Sequence, residues 1–395
     1  MSEVISLRSI TSKIGSGATP KGGNTVYENS GIAFIRSQNV LDMSFSTQNL
    51  AYITNEQANK LNNVIVENND ILLNITGDSI ARCTIVPDEL LPARVNQHVS
   101  IIRCISPDYA NYVCYYLQFL KPYLLQICKV GGTRNALTKE AVENLPIVIQ
   151  KEYKIIGKLL STIDQKIALN NQINEELEAM AKALYDYWFM QFDFPDENGK
   201  PYKSSGGKMV YNDQLKREIP EGWGVKPLGE LADLYQPQTL SEKDLISNGR
   251  YFVYGANGII GKYNKYNHET PMLAIACRGN SCGVINITQP FSWITGNAMV
   301  VKPKFEYICI DYLKYSLLNG NIYKTISGSA QPQITRTNLS PLLLLQADET
   351  ILSEYADRIN SMFSFRIKNF QQNQELTQLR DWLLPMLMNG QVKVE

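Results

Sequence analysis

The chain carries two long stretches of helical periodicity, one closing each half, and this duplication limits the folds it can adopt. We predict the first helix over residues 151–190 and the second over 346–395. Because neither helix can bury its apolar stripe alone, we predict that they pack on each other; one long helix in each of two ordinary α/β domains is the alternative. The first helix repeats at alternating intervals of four and three residues, the spacing of a coiled-coil seam, at Ile156, Leu160, Ile163, Ile167, Asn170, Asn174, Leu177, Ala181, Leu184 and Trp188.

The segments before the two helices repeat as well. Residues 131–149 and 328–343 each read as a Gly/Ser/Thr loop, a helix-starting Thr, a short helix and a Pro-led apolar strand. Further upstream, residues 1–110 and 223–305 read as short strands separated by turns. Residues 191–222 between the halves are rich in Pro, Gly and charge, which is typical of a connector.

Composition excludes several classes of protein. Lys plus Arg and Asp plus Glu both number 38, so the net charge is zero, which argues against nonspecific nucleic-acid binding. Specific binding is not excluded, because charge can be concentrated on one face and base readout also uses uncharged polar side chains. Seven cysteines without a CxxC pair and two histidines give no zinc motif, and we interpret the thiols as reduced and mostly buried. The absence of a signal-peptide pattern and of a long apolar run leads us to expect a cytoplasmic protein.

Motifs for catalysis are broken or missing. Residues 15–21 have the length of a P-loop, but Pro20 replaces its second Gly. Residues 256–263 also fail, because Ala256 and Tyr263 replace the first Gly and the Mg-binding hydroxyl residue. The Asn-Pro-Pro-aromatic motif of adenine methyltransferases is absent from the sequence. We therefore expect no catalytic residue and no metal site on this chain; a self-contained methyltransferase or nuclease is the opposed alternative.

Four ordered stretches resemble one family. Residues 183–189 (ALYDYWF) with 192–195 (FDFP) resemble the central conserved region of specificity subunits of type I restriction-modification enzymes. Residues 219–223 (IPEGW) resemble the entry to the second recognition domain of that family, and 384–391 (LPMLMNGQ) resemble its C-terminal end. The set spans nearly the whole chain in family order.

The resemblance implies an α+β protein with two similar α/β target-recognition domains, separated by two long antiparallel helices that form a coiled coil, in a pseudo-twofold internal repeat. It places the recognition domains at 1–150 and 223–345, the conserved helices at 151–190 and 346–395, and the connector at 191–222. Each domain would read half of a bipartite, asymmetric DNA site. A stand-alone DNA-binding or scaffold protein without methyltransferase partners is the alternative.

The family also implies partners and cofactors. Two modification (methyltransferase) subunits would dock on this chain and methylate adenine, and two restriction subunits, whose presence the sequence leaves open, would add translocation and cleavage. S-adenosylmethionine, ATP and Mg²⁺ would then bind the partner subunits and not this chain. From Ile156 to Trp188 the helix would measure about 48 Å, or on the order of 14 base pairs, so it could set the spacer between the half-sites.

Candidate DNA contacts are Arg, Lys, amide, hydroxyl and aromatic side chains in the predicted loops. In the first domain they are Lys13, Thr19, Lys21, Arg36, Gln38, Asn39, Arg82, Arg94, Asn96, Gln97, His98, Thr133, Arg134 and Asn135. In the second they are Gln236, Tyr254, Asn257, Lys262, Arg278, Asn280, Ser281, Asn297, Ser329, Gln331 and Gln333. For lone charged residues a solvated surface position is the alternative, and Tyr254 and Trp293 are more typical of a core. The aromatic cluster Tyr185, Tyr187, Trp188 and Phe189 is a candidate partner-binding site, with core packing as the alternative.

Overall fold

The computed structural model describes residues 3–128, 136–328 and 331–394, which fall into two compact units. Unit 1 consists of Met1–Asn170 and Gln372–Glu395, and unit 2 of Asn171–Gln371. Each unit therefore contains a body of strands and short helices together with parts of two long helices.

Unit 1 begins with short strands whose buried faces are apolar. Its strands are β1 (Glu3–Ser6), β2 (Thr11–Ser16), β3 (Ile32–Ile35), β4 (Ala51–Ile53), β5 (Ile65–Val66), β6 (Ile71–Asn74), β7 (Cys83–Ile85), β8 (Ala93–Val95), β9 (Val99–Cys104) and β10 (Pro146–Ile149). Its helices are α1 (Asn55–Asn59), α2 (Pro107–Phe119), α3 (Lys121–Ile127), α4 (Lys139–Glu143) and the first part of α5 (Tyr153–Tyr185). Helix α2 starts where Ser106 caps the N–H of Tyr109, with Pro107 in the first turn.

Unit 2 contains a similar series of elements, preceded by the additional strands β11 and β12. Its strands are β11 (Met209–Asn212), β12 (Arg217–Pro220), β13 (Gly224–Pro227), β14 (Ala232–Tyr235), β15 (Tyr251–Gly255), β16 (Gly258–Tyr263), β17 (Leu273–Ala276), β18 (Ile285–Ile287), β19 (Trp293–Ile294), β20 (Ala298–Pro303) and β21 (Leu343–Gln346). Its helices are α6 (Leu228–Leu231), α7 (Ile310–Asn319), α8 (Arg336–Leu339) and the first part of α9 (Glu349–Met388). The predicted connector contains the β11–β12 hairpin, so it is partly folded.

The sheets of the two units are similar in topology, although the second sheet has four strands in unit 1 and three in unit 2. A four-stranded antiparallel sheet has the order β2-β9-β6-β7 in unit 1 and β14-β20-β17-β18 in unit 2. In a second sheet, one strand of an antiparallel pair also has a parallel neighbour. In unit 1, β3 pairs antiparallel with β4 and parallel with β8; in unit 2, β15 pairs antiparallel with β16 and parallel with β19. The pairs β1–β10 and β13–β21 bring the start of each body beside its end. The predicted internal duplication is thus confirmed.

The long helices pack antiparallel within each unit, as predicted. In unit 1, the Asn170 amide donates to Gln372 Oε1 at 2.7 Å and Asn373 Oδ1 at 2.8 Å. In unit 2, the Asn369 amide donates to Asn174 Oδ1 at 3.0 Å. Residue numbers rise along α5 as they fall along α9, which defines the antiparallel direction. Of the predicted seam, Ile156, Leu160, Ile163, Asn170, Ala181 and Trp188 are buried.

A buried tyrosine anchors each body to its closing strand. Tyr112 in α2 donates its hydroxyl to Val148 O at 2.7 Å, and Tyr312 in α7 donates to Leu345 O. Both rings are fully buried, so each phenol combines core packing with a satisfied polar end.

The aromatic cluster at the end of α5 is part of the core of unit 2. Tyr185, Trp188 and Phe189 are at most 2% exposed, and Phe189 packs edge-on against Tyr312 and Tyr355. Their prediction as partner-binding residues was therefore wrong, because α7 and α9 already cover them. Tyr187 differs, since 38% of it is exposed.

No helix in the described ranges is long and apolar enough to cross a membrane.

Candidate nucleic-acid interface

In unit 1, four loops meet at one end of the four-stranded sheet. The Ile75 N–H, just after β6, donates to His98 O at 3.0 Å in the loop between β8 and β9. Ile75 O accepts from the Leu137 N–H at 2.9 Å, which brings in the segment before α4. The loop after β2 joins through the Gly17 N–H, which donates to Val99 O at 2.9 Å. Segments far apart in sequence therefore form one surface.

Side chains link three of these loops in a chain. The Thr19 hydroxyl donates to Gln97 Oε1, and Gln97 Nε2 lies 3.0 Å from His98 Nε2. Because an amide nitrogen can only donate, His98 Nε2 is the acceptor, and Nδ1–H donates to the Thr76 hydroxyl at 2.6 Å. The network thus orients the His98 ring and ties together the loops after β2, β6 and β8.

Unit 2 builds the same surface with other residues. The Cys277 N–H, after β17, donates to Asn297 O at 3.2 Å, and Cys277 O accepts from the Ile334 N–H at 3.0 Å. The Gly279 N–H donates to Pro332 O at 3.1 Å, and a β-bridge pairs Arg278 with Gln333. The loop after β17 and the segment before α8 are therefore joined by backbone hydrogen bonds.

The two units are most alike at the turn that follows β6 in unit 1 and β17 in unit 2. The backbone N–H of Asn74 and of Ala276 each donates a hydrogen bond to a residue on the other side of this turn, and the backbone C=O of each accepts one from there. Gly77 and Gly279 occupy the same place with φ of 77° and 75°, a left-handed conformation that favours glycine. The backbone frame is conserved between the halves while the side chains on it differ.

The structure removes three predicted contacts from the surface of unit 1. Arg94 is 6% exposed, and its guanidinium donates to Ala58 O at 3.2 Å and Ala93 O at 3.0 Å. Burial also lowers the pKa of Arg94. Asn39 and Asn96 are buried, and each accepts a backbone N–H within its own turn. These residues shape loops, and their polar atoms are not available to DNA.

The remaining candidates of unit 1 divide by position. Thr19, Gln97 and His98 lie in the linked network, and Arg82 lies in the turn after β6. Lys13 lies inside β2, with its amine 3.4 Å from Ile65 O, so it is not part of the loop cluster. Three other candidates lie outside this network. The side chains of Arg36 and Gln38 donate hydrogen bonds to Asn49 O, and Lys21 is exposed.

In unit 2, most candidates are exposed on the joined loops. Tyr254 is the exception: it is 5% exposed and its hydroxyl accepts the Gln289 N–H at 3.1 Å, so its prediction was wrong. Lys262 lies over the Phe252 ring, away from the turn. Asn257 lies in the hairpin turn of β15–β16, beside the loop after β19, where the Thr295 N–H donates to Tyr254 O. The candidates that stay on the loop surface are Gln236, Asn257, Arg278, Asn280, Ser281, Asn297, Gln331 and Gln333.

Some predicted residues lie outside the described ranges, and some residues of the loop clusters were not predicted. Thr133, Arg134, Asn135 and Ser329 lie outside the described residues. Thr76 and Cys277 were missed by the sequence reasoning. Cys277 was interpreted as an ordinary buried thiol, and no sequence signal marked its bonds to distant loops.

These features define a class of protein: a duplicated α+β scaffold that presents one loop cluster per unit and carries two long helices. The chain belongs to the family of the type I restriction modification DNA specificity domain, whose model matches residues 2–179 and 220–344, well over half of the chain.

Two relatives and one solved structure are similar to the chain. It is 24% identical over 273 residues to the type I restriction enzyme MjaIX specificity subunit of Methanocaldococcus jannaschii, covering 64% of this chain and 61% of that protein. The chain thus spans less than two thirds of that relative. It is 23% identical over 338 residues to the HindI specificity subunit of Haemophilus influenzae, covering 66% of this chain and 72% of that protein. The S subunit structure from M. genitalium shares the fold, with a TM-score of 0.56, 14% identity, and coverage of 98% and 96%.

Proposed function

We propose that this chain is the sequence-specific DNA-binding subunit of a type I restriction-modification complex. Each unit reads one half of a bipartite, asymmetric DNA site. The observation that carries the proposal is the repeated loop cluster: one backbone frame, built twice, with different hydrogen-bonding side chains on each copy. Two similar backbone frames that carry different side chains are suited to two half-sites of different sequence.

The two clusters offer the groups that read base edges. Unit 1 presents hydroxyl, amide and imidazole groups around Gln97 and His98 together with Arg82, whereas unit 2 presents Arg278 with several amides. Arginine pairs with guanine and amides pair with adenine in the major groove. Because the net charge of the chain is zero, we propose that partner subunits add to the affinity of this chain for DNA.

In this proposal the chain is not itself an enzyme. It directs adenine methylation by two modification subunits, and cleavage where restriction subunits are present. S-adenosylmethionine, ATP and Mg²⁺ bind those partners. The paired helices α5 and α9 set the spacer between the half-sites.

Methylome sequencing tests the proposal directly. We expect cells that carry this chain and its neighbouring methyltransferase to show N6-methyladenine in both halves of one bipartite motif. Deleting this chain should remove that motif completely while other methylation stays, because the methyltransferase then has no sequence reader. A methylome unchanged by the deletion, with the methyltransferase expressed, contradicts the proposal and favours a stand-alone DNA-binding or scaffold protein.

Partner docking gives a second test, on the long helices. In unit 2, exposed apolar side chains on or next to these helices include Met180 (53%), Phe365 (60%) and Tyr187 (38%). Tyrosine is enriched among the few residues that carry most of the binding energy of protein interfaces. We propose that Tyr187 contacts a modification subunit.

We expect Tyr187→Ala to weaken binding of the modification subunit by about tenfold, the effect of losing an interface anchor. Titration of the purified subunits measures the affinity. Tyr123→Ala, at an exposed tyrosine on α3, is the matched control and should leave it unchanged. Equal affinities for wild type and Tyr187→Ala would remove Tyr187 from the interface.

A further inference from the structure

The amide of Gln236 is held by two acceptors in the loop cluster of unit 2. Gln236 directly follows β14, and its Nε2 donates to Cys277 Sγ at 3.0 Å and to Gly296 O at 3.3 Å. The Cys277 thiol in turn donates to Asn297 O at 3.0 Å. This bridge joins the loops after β14, β17 and β19.

The bridge fixes which way the amide points. An amide nitrogen has two hydrogens and no acceptor capacity, and both hydrogens have partners here. Exchanging the nitrogen and oxygen would place Oε1 3.3 Å from the carbonyl oxygen of Gly296, where two acceptors repel. The thiol hydrogen is also committed to Asn297 O, so it cannot donate to a reversed amide.

The other end of the amide remains available. Gln236 is an exposed residue, and Oε1 accepts no hydrogen bond from the described part of the chain. Cys277 is fully buried, and its own N–H and C=O bond to Asn297 and Ile334, so the anchor is itself rigid. Gln236 thus presents an acceptor without a donor, which an unrestrained glutamine would not do.

We propose that Gln236 is a specificity-determining residue that accepts a hydrogen bond from the exocyclic amino group of an adenine or cytosine, and that Cys277 is its positioning residue. This inference rests on the proposed function. In the major groove, adenine N6 and cytosine N4 are donors, whereas thymine O4 and guanine O6 are acceptors. An acceptor held in place favours the first pair of bases and repels the second.

Selection from randomised duplex DNA tests this with the full chain bound to its modification subunit. We expect the wild type to require adenine or cytosine at one position of one half-site. Cys277→Ala removes one of the two acceptors that hold the amide, so the reversed orientation becomes accessible and the preference there should fall by up to about tenfold, roughly the value of one hydrogen bond. The other half-site, read by unit 1, should not change and is an internal control.

Two further variants separate positioning from folding. Cys277→Ser keeps an atom that accepts from Gln236 and donates to Asn297 O, so it should restore most of the preference. Cys282→Ala truncates another buried cysteine of the same loop that has no hydrogen bond to Gln236, and it should leave the preference intact. A loss with Cys282→Ala equal to that with Cys277→Ala would show general loop damage and overturn the positioning role.

Base analogues test the chemical group directly. Replacing the preferred base by its analogue without the exocyclic amino group (purine for adenine, 2-pyrimidinone for cytosine) should weaken the wild type by about tenfold and leave Gln236→Ala unaffected. If Gln236→Ala keeps the full base preference at every position of both half-sites, the inference is wrong while the proposed function stands. If the wild-type complex selects no bipartite motif, the proposed function fails and this inference fails with it.

Discussion

Inserting seven residues into each long helix should lengthen the selected DNA spacer by about three base pairs. The insertions fall after Asn170 in α5 and after Gln371 in α9, where the boundary between the units lies. A heptad preserves the apolar seam and adds about 10 Å at 1.5 Å per residue. On the original motif one half-site is then out of reach, and because each lost base pair costs about 1–3 kcal/mol, binding should fall by more than about a hundredfold.

Selection with the modification subunit present measures both the half-sites and their separation. Both half-site sequences should be recovered unchanged, because the loop clusters are not altered. Affinity for the longer site should stay below that of the wild type on its own site, since three base pairs also turn the DNA by about a third of a helical turn. A seven-residue insertion in the exposed connector, after Gly199, is the control. An unchanged spacer with the helix insertions would contradict the role of α5 and α9.

Removing the guanidinium of Arg366 should destabilise unit 2 by about 3–5 kcal/mol, because a buried carboxylate loses its partner. Arg366 lies 3.2 Å from Asp311 Oδ1 and 2.8 Å from Glu178 Oε2, and the side chain of Asp311 is 2% exposed. Urea unfolding of wild type and Arg366→Met, followed by tryptophan fluorescence, measures the change. Arg380→Met is the matched control in unit 1, and its loss should be nearer 1 kcal/mol, since its partners Asp164 and Asp381 are 18% and 61% exposed.

The pH dependence of this effect has a defined sign. Burial raises the pKa of Asp311, and Arg366 opposes that rise. A carboxyl whose pKa is higher in the folded state contributes stability at low pH that is lost as the pH rises through the folded value. Without Arg366 the pKa of Asp311 rises further, so the deficit of Arg366→Met should grow as the pH rises from the folded-state pKa of Asp311 in the wild type toward its higher value in the variant.

A second substitution tests the mechanism. Adding Asp311→Asn to Arg366→Met removes the buried charge and should recover at least half of the lost stability. A deficit below about 1 kcal/mol for Arg366→Met, or no recovery in the double variant, would show that the pair is not a buried ion pair in solution.

Local pattern was enough to predict the long helices and the duplication. The seam from Ile156 to Trp188 follows a period that only a paired helix satisfies, and the repeated loop, short helix and Pro-led strand mark equal positions in both halves. The Asn170 and Asn174 side chains pair across the helices as the seam predicts. These features depend on neighbours within a few turns, which the sequence displays directly.

Residue type alone could not identify which candidate side chains lie on the loop surface. Arg94 and Tyr254 look like DNA contacts in a loop-rich sequence, yet each is buried and bonded by a segment more than 30 residues away. Trp188 and Phe189 suited a docking site until α9 was seen to cover them. In each case burial arises from contacts between distant segments.

By itself the sequence determined two similar halves, two paired helices and a chain without recognisable catalytic motifs, because hydrophobic periodicity and repetition are properties of neighbouring residues. The tertiary structure alone decided which polar groups face outward and in which orientation. The fixed amide of Gln236 depends on Cys277 and Gly296, which lie 41 and 60 residues further along the chain. Hydrogen-bond direction is set by such long-range partners, and no local pattern encodes it.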